Sequence, residues 1–292
     1  MDSNQMKGTA KRKPLDWHLG DIEQRFGFSG GKYTDVNFLF VLLLAAILSA
    51  AFFVGLCWPL SGAASLPRPC AMILERGWTP YAMIALFILG LTNLFVKWRK
   101  LTFQRRALAI ELVPSGNNFA LSRETAIDVL RRLQAAVDDP KRFVLFNRIE
   151  RALLNLRNVG NLSDVSEMLR AQAENDEGHM DSSYGIPGGI VWVIPILGFI
   201  GTVTGLSGAI GGFGAVLNTN TEAASLRESL TPVTANLGVA FDTTLVALLL
   251  AMALQMLMTL LRKKEESFLD ECRDYAHIMV ISRLRLDRGK EP

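Results

Sequence analysis

Cysteine and histidine are scarce in this chain of 292 residues, with three of each. Cys57, Cys70 and Cys272 are too few for a disulfide scaffold, and their spacing fits no thiolate metal site. Cys57 and Cys70 leave two alternatives, a bridge in an oxidising compartment or two unpaired thiols; the intervening Pro59, Pro67 and Pro69 favour the thiols. His18, His179 and His277 lie far apart, and no Ser or Cys has a base at a readable spacing. No catalytic site, metal or cofactor is therefore expected, and the chain does not read as an enzyme. The net charge is only +3. Its basic N-terminal residues have no aromatics interleaved and stand ahead of an apolar run, which argues against nucleic-acid binding. That run is too long, and begins too late, for a signal peptide, so it reads as a retained helix.

What the chain does have is apolar sequence in blocks. Hydrophobic residues make up 50% of it, and they concentrate in Val36–Trp58, Tyr81–Val96, Gly189–Leu217 and Val233–Leu261. A hydrocarbon core of about 30 Å takes roughly 20 helical residues, so each block is a candidate span. The second is the shortest. Lys and Arg fall mostly on one side of these blocks: Lys7, Lys11, Arg12, Lys13, Arg25 and Lys32 before the first, Lys97 to Arg106 after the second, Arg262 to Lys264 after the fourth. Loops 59–80 and 212–231 carry only Arg68, Arg76 and Arg227. Basic residues mark the cytoplasmic side, which predicts both termini and the stretch from 97 to about 186 in the cytoplasm.

The expected fold is all-α: a polytopic membrane protein with four transmembrane helices and a helical cytoplasmic domain between the second and third. Residues 1–35 read as a polar cytoplasmic tail and 36–96 as a transmembrane hairpin, without a polar face apart from Asn93, at the lipid-facing periphery. Residues 97–186 read as the cytoplasmic domain. Within it Ser122 opens a helix to Val137, Pro140 opens a second with a stripe of Phe143, Phe146, Ile149, Leu153, Leu154 and Leu156, and Ser163 and Asp164 cap a third. The acidic run Glu174, Asp176, Glu177 and Asp181 reads as a solvated linker, or else a docking surface. Residues 187–261 hold the two inner spans. In 262–292, Phe268, Cys272, Tyr275 and Met279 recur at helical steps, so the fourth span should continue into the cytoplasm and pack there.

The inner spans carry the informative pattern. Gly198, Gly201, Gly205, Gly208 and Gly212 cover one narrow arc of the third, where another backbone can approach closely. Asn236, Ala240, Thr244, Ala247, Ala251 and Gln255 form a small and polar face on the fourth. Asp242 lies about 160° from Thr244 on a helix of 3.6 residues per turn, so the two cannot point into one narrow pore. An Asp in mid-bilayer costs about 2.5–3.5 kcal/mol, so it needs a partner; Thr202, Thr204, Ser207 and Thr243 are the candidates. A hydrogen-bonded clamp and an ion relay both remain open for it.

Pro195 stands six residues before Gly201-Thr202-Val203-Thr204-Gly205, and the fourth span carries Ala240-Phe241-Asp242-Thr243-Thr244. These two segments resemble the MotA/TolQ/ExbB proton-channel superfamily over about the last 110 residues. The topology is similar to its flagellar branch, whereas Gly201-Thr202-Val203 is more like ExbB and TolQ. The resemblance implies a homopentamer around two copies of a single-span partner of the MotB/TolR/ExbD type, in a bacterial inner membrane. It implies that the partner's membrane Asp carries the ion, H⁺ or Na⁺, that Thr202 and Thr244 line its path, and that Pro195 shapes the helix; Thr243 and Asp242 are grouped with the ion path by their place beside Thr244, and the role of Asp242 is not carried over from the family. The expected function is the channel-forming subunit of an ion-driven motor or stator. The alternative is a non-conducting membrane scaffold whose cytoplasmic domain recruits a partner.

Overall fold

The computed structural model describes residues 15, 17–57, 77–110, 123–159, 162–217 and 223–282. Among them there is no strand, only an isolated bridge between Leu15 and Val137. The helices are α1 (Trp17–Gly20), α2 (Ile22–Arg25), α3 (Phe38–Phe52), α4 (Thr79–Arg105), α5 (Arg123–Ala136), α6 (Val144–Val159), α7 (Leu162–Ser183), α8 (Gly185–Leu217) and α9 (Ala223–Ala276). Short 3₁₀ and π turns extend several of them. Four helical stretches are long and apolar enough to cross a membrane, so the chain is an all-α polytopic membrane protein. It divides into two compact units, one of 1–37, 96–183 and 262–292, the other of 38–95 and 184–261.

The second unit holds the apolar segments. Only 17% of the most apolar window of the stretch containing α3 is buried, against 50% for that containing α4. The reason is visible at Gly90, where an added Cβ would meet the side chain of Leu254 and come within 3.4 Å of Ile190 Cγ2. The missing side chain lets α4 lie directly on α8 and α9, while α3 exposes Leu39, Ile47 and other large apolar side chains. Pro195 sits inside α8 without ending it, which a membrane helix tolerates when neighbouring helices satisfy the freed carbonyl. Helix α9 has 54 residues, roughly 80 Å at about 1.5 Å per residue and far more than a hydrocarbon core. The 212–231 loop expected from the sequence is shorter than that range, since α8 runs to Leu217 and α9 starts at Ala223.

The first unit is a helical domain with a conventional core. Ala126, Val129 and Leu133 of α5 and Phe146, Ile149 and Leu153 of α6 are buried, as the helical spacing requires. Leu154 departs from the expected stripe: it is 41% exposed. The segment that reads as a polar tail carries side chains into this core. Trp17 is 1% exposed and lies edge-on to Phe143, with ring centroids 5.2 Å apart. Tyr33 has a φ of 58°, unusual for a residue with a side chain. Its ring is buried, and its hydroxyl accepts a hydrogen bond from Asn147 Nδ2 at 2.6 Å. Burial first, and then the Asp176 carboxylate, push its phenol up to about 12.

Buried ion pairs complete this unit: Lys97–Glu265 at 3.2 Å, Lys100–Glu23 at 2.6 Å with Asp21 also 3.7 Å from Lys100, and Arg148–Asp176 at 2.8 Å. Burial raises the Glu23 carboxyl above the ordinary range, against the pull of Lys100. The acidic run is not a linker. It lies on α7, with Asp176 1% exposed against Arg148, and Glu174, Glu177 and Asp181 paired with Arg170, Arg273 and Arg262. The C-terminal part of α9 packs here as expected, burying Phe268, Leu269 and Cys272. The Cys57–Cys70 alternative lies outside the described residues.

Candidate functional site: the α8–α9 contact

The two small-residue faces found in the sequence meet each other. An added Cβ at Gly198 would collide with the side chain of Ala247; one at Gly201 would lie 2.7 Å from Thr243 Oγ1. At Gly205 it would lie 2.9 Å from both Ala240 N and Asn236 O, and at Gly208 3.2 Å from Asn236 Nδ2. Partner numbers fall as the glycine numbers rise, so the helices run antiparallel in fixed register. Glycine is needed because backbone itself, not a movable side chain, occupies the space at Gly205.

This close approach brings the two threonines together. Thr202 Oγ1 and Thr244 Oγ1 are in direct hydrogen-bond contact. Thr202 also donates towards Gly198 O at 3.2 Å and, across the helix pair, Ala240 O at 3.1 Å. Thr244 reaches the same carbonyls, Ala240 O at 3.1 Å and Gly198 O at 3.5 Å. Two hydroxyls and two carbonyls thus form a cluster of four oxygens without a fixed charge. Both threonines are half-buried, so the cluster sits at the margin of the contact and not deep within it. A hydroxyl pair of this kind can accept a hydrogen bond on one side and donate on the other, as handling of a proton or small cation requires.

Thr243, grouped with the ion path by the sequence, is 1% exposed and packs on Gly201; its hydroxyl donates to Val239 O and Ala240 O. Asp242 is half-buried on α9. Of the hydroxyls named as its candidate partners, those of Thr202, Thr204 and Thr243 have backbone acceptors: Thr204 bonds Ile200 O and Gly201 O, and Thr202 and Thr243 bond as described. Pro195 lies one turn ahead of Gly198 on α8. The Gly198 and Ala240 carbonyls escaped the sequence reading, although a helical Thr commonly bonds the carbonyl four residues back. What no local rule supplies is the bond from Thr202 to Ala240, 38 residues away. Among the described residues no group of three or more His, Cys, Asp or Glu could hold a metal ion.

Residues 137–274 match the family model of the MotA/TolQ/ExbB proton channel family. No curated protein and no solved structure matches the chain. The match takes in α6 and α7 as well as the two inner spans, and so reaches further towards the N-terminus than the motifs alone. Residues 137–274, with the threonine pair inside them, are thus what this chain shares with the MotA/TolQ/ExbB proton channel family model.

Proposed function

We propose that the chain is the channel-forming subunit of a motor or stator complex that couples ion flow, H⁺ or Na⁺, to mechanical work in a bacterial envelope. The observation that carries the reading is the Thr202–Thr244 contact, which gathers four oxygens at the margin of a glycine-lined helix pair. Thr202 and Thr244 line the ion path, Asp242 stands beside it, and Thr243 with Gly198, Gly201, Gly205 and Gly208 holds the two helices at the required distance. The extensive apolar surface of α8 and α9, with Phe199 at 66% and Phe241 at 67% exposed, suits contact with lipid and with further copies of the chain. Five copies around two single-span partners of the MotB/TolR/ExbD type would place the partner's Asp against the threonines. The protein then sits in the inner membrane with both termini cytoplasmic. Each ion moved supplies about 2.3 kcal/mol per 100 mV.

The same geometry also suits a non-conducting scaffold, because the Thr202, Thr204, Thr243 and Thr244 hydroxyls all have backbone acceptors, as a packing role would require. The native mass of the detergent-purified complex, co-expressed with a single-span protein of the MotB/TolR/ExbD type, separates the readings. Five copies with two of the partner are expected. A monomer or dimer that retains no partner moves the assignment to the scaffold.

A further inference from the structure

The first unit contains a cavity of about 440 Å³ between α7 and the end of α9, within the size range of small-molecule sites. Arg148 of α6 forms part of its lining and is itself 1% exposed. This guanidinium is incompletely used. Its Nε donates to Asp176 Oδ2 at 2.8 Å and its Nη1 to Leu269 O at 3.3 Å, while Nη2 is buried without an acceptor. A charged donor left unpaired in the interior is costly, and an arriving oxygen would relieve it. Two further guanidiniums, Arg170 and Arg273, stand around the cavity. The carboxylates beside them do not compete for Arg148, since Glu174 is bonded to Arg170 and Glu177 to Arg273.

The rest of the wall includes Ser166 and His277 beside an apolar strip in which Leu169, Ala173 and Ala276 are all buried. A second cavity along the same helices, about 340 Å³, is lined by Glu177, Asp181, Glu266 and Asp270 against two arginines, an environment that repels anions. The two differ in sign, so an anion would be directed to the Arg148 end. We propose that the first cavity binds a small organic anion, its phosphate or carboxylate head on Arg148 and its apolar body along Leu169, Ala173 and Ala276. The site is independent of the ion path and does not rest on the reading of the chain as a channel.

The test is calorimetric titration of hexyl phosphate into the full-length protein in zwitterionic lipid nanodiscs. Saturable binding is expected, weakened at least tenfold in the Arg148→Met/Asp176→Leu double variant, which leaves no buried charge unpaired. The exposed Arg170→Ala, which does not disturb the core, should weaken it severalfold. If hexyl phosphate binds less tightly once the nanodisc lipid is made anionic, the natural occupant is a lipid headgroup; an unchanged affinity makes it a soluble metabolite. No saturable binding at millimolar concentration, or binding that Arg170→Ala and the double variant leave unchanged, overturns the proposal.

Discussion

At the scale of single residues, the site depends on the atoms that glycine omits. Gly205 faces Ala240 N and Asn236 O, each 2.9 Å from the position of an added Cβ, whereas Gly211 has nothing within 4 Å. Gly205→Ala must push two backbones apart and should destabilise the protein by about 1–3 kcal/mol, as overpacking does. Gly211→Ala should leave thermal unfolding in detergent unchanged; equal loss in both would contradict the register described here. Tyr33 offers a pH test. Burial pushes its phenol up to about 12 in the folded protein, against the ordinary tyrosine value of 10.0. The unfolded chain therefore loses this proton first, and stability present below pH 10 is lost as pH rises towards 12. Tyr33→Phe should flatten that part of the stability profile relative to the parent, measured by chemical denaturation at each pH. A parallel fall in both proteins would contradict the assignment. Much of this scale was legible beforehand, because small residues three and four apart declare a close helix contact. The depth of each hydroxyl was not: Thr243 and Thr244 are adjacent in sequence, yet one is buried against Gly201 and the other reaches the margin.

At the scale of elements, the spans were readable as apolar runs and the ends of the helices were not. An apolar run stops at the first lysine, but α4 continues through Lys97 and Lys100 to Arg105 because partners elsewhere in the chain take up both charges. Glu265 on α9 pairs with Lys97 and also accepts from Thr34. The acidic run of α7 was misread for the same reason: Arg148, Arg262 and Arg273 lie far from it in sequence and meet it only in the fold. Lys97 and Glu265 are 1% and 2% exposed, so removing one strands the other. Glu265→Leu should cost about 3–5 kcal/mol, and Lys97→Met/Glu265→Leu should restore most of it, since apolar replacement of a whole buried pair is often neutral. Thermal denaturation of the two variants decides the matter; a double variant no more stable than the single would show that the polar groups act through other partners.

At the scale of the whole molecule, an apolar unit with a threonine pair and a polar helical unit with buried ion pairs are built from interleaved stretches of one chain. That interleaving follows the chain order: residues 1–37, 96–183 and 262–292, which flank the apolar stretches 38–95 and 184–261, make up the helical unit. The family match spans parts of both units, which ties the conduction reading to α8 and α9 without excluding a role for α6 and α7. The central claim is that Thr202 and Thr244 handle an ion. Proton flux into vesicles containing the protein with its co-expressed single-span partner tests it most directly, with Thr244→Val as the comparison because valine keeps the shape of threonine and removes the hydroxyl. The account predicts at least a tenfold loss of flux, about 1.4 kcal/mol, with the complex still assembled. An assembled Thr244→Val complex that conducts as the parent does would contradict it.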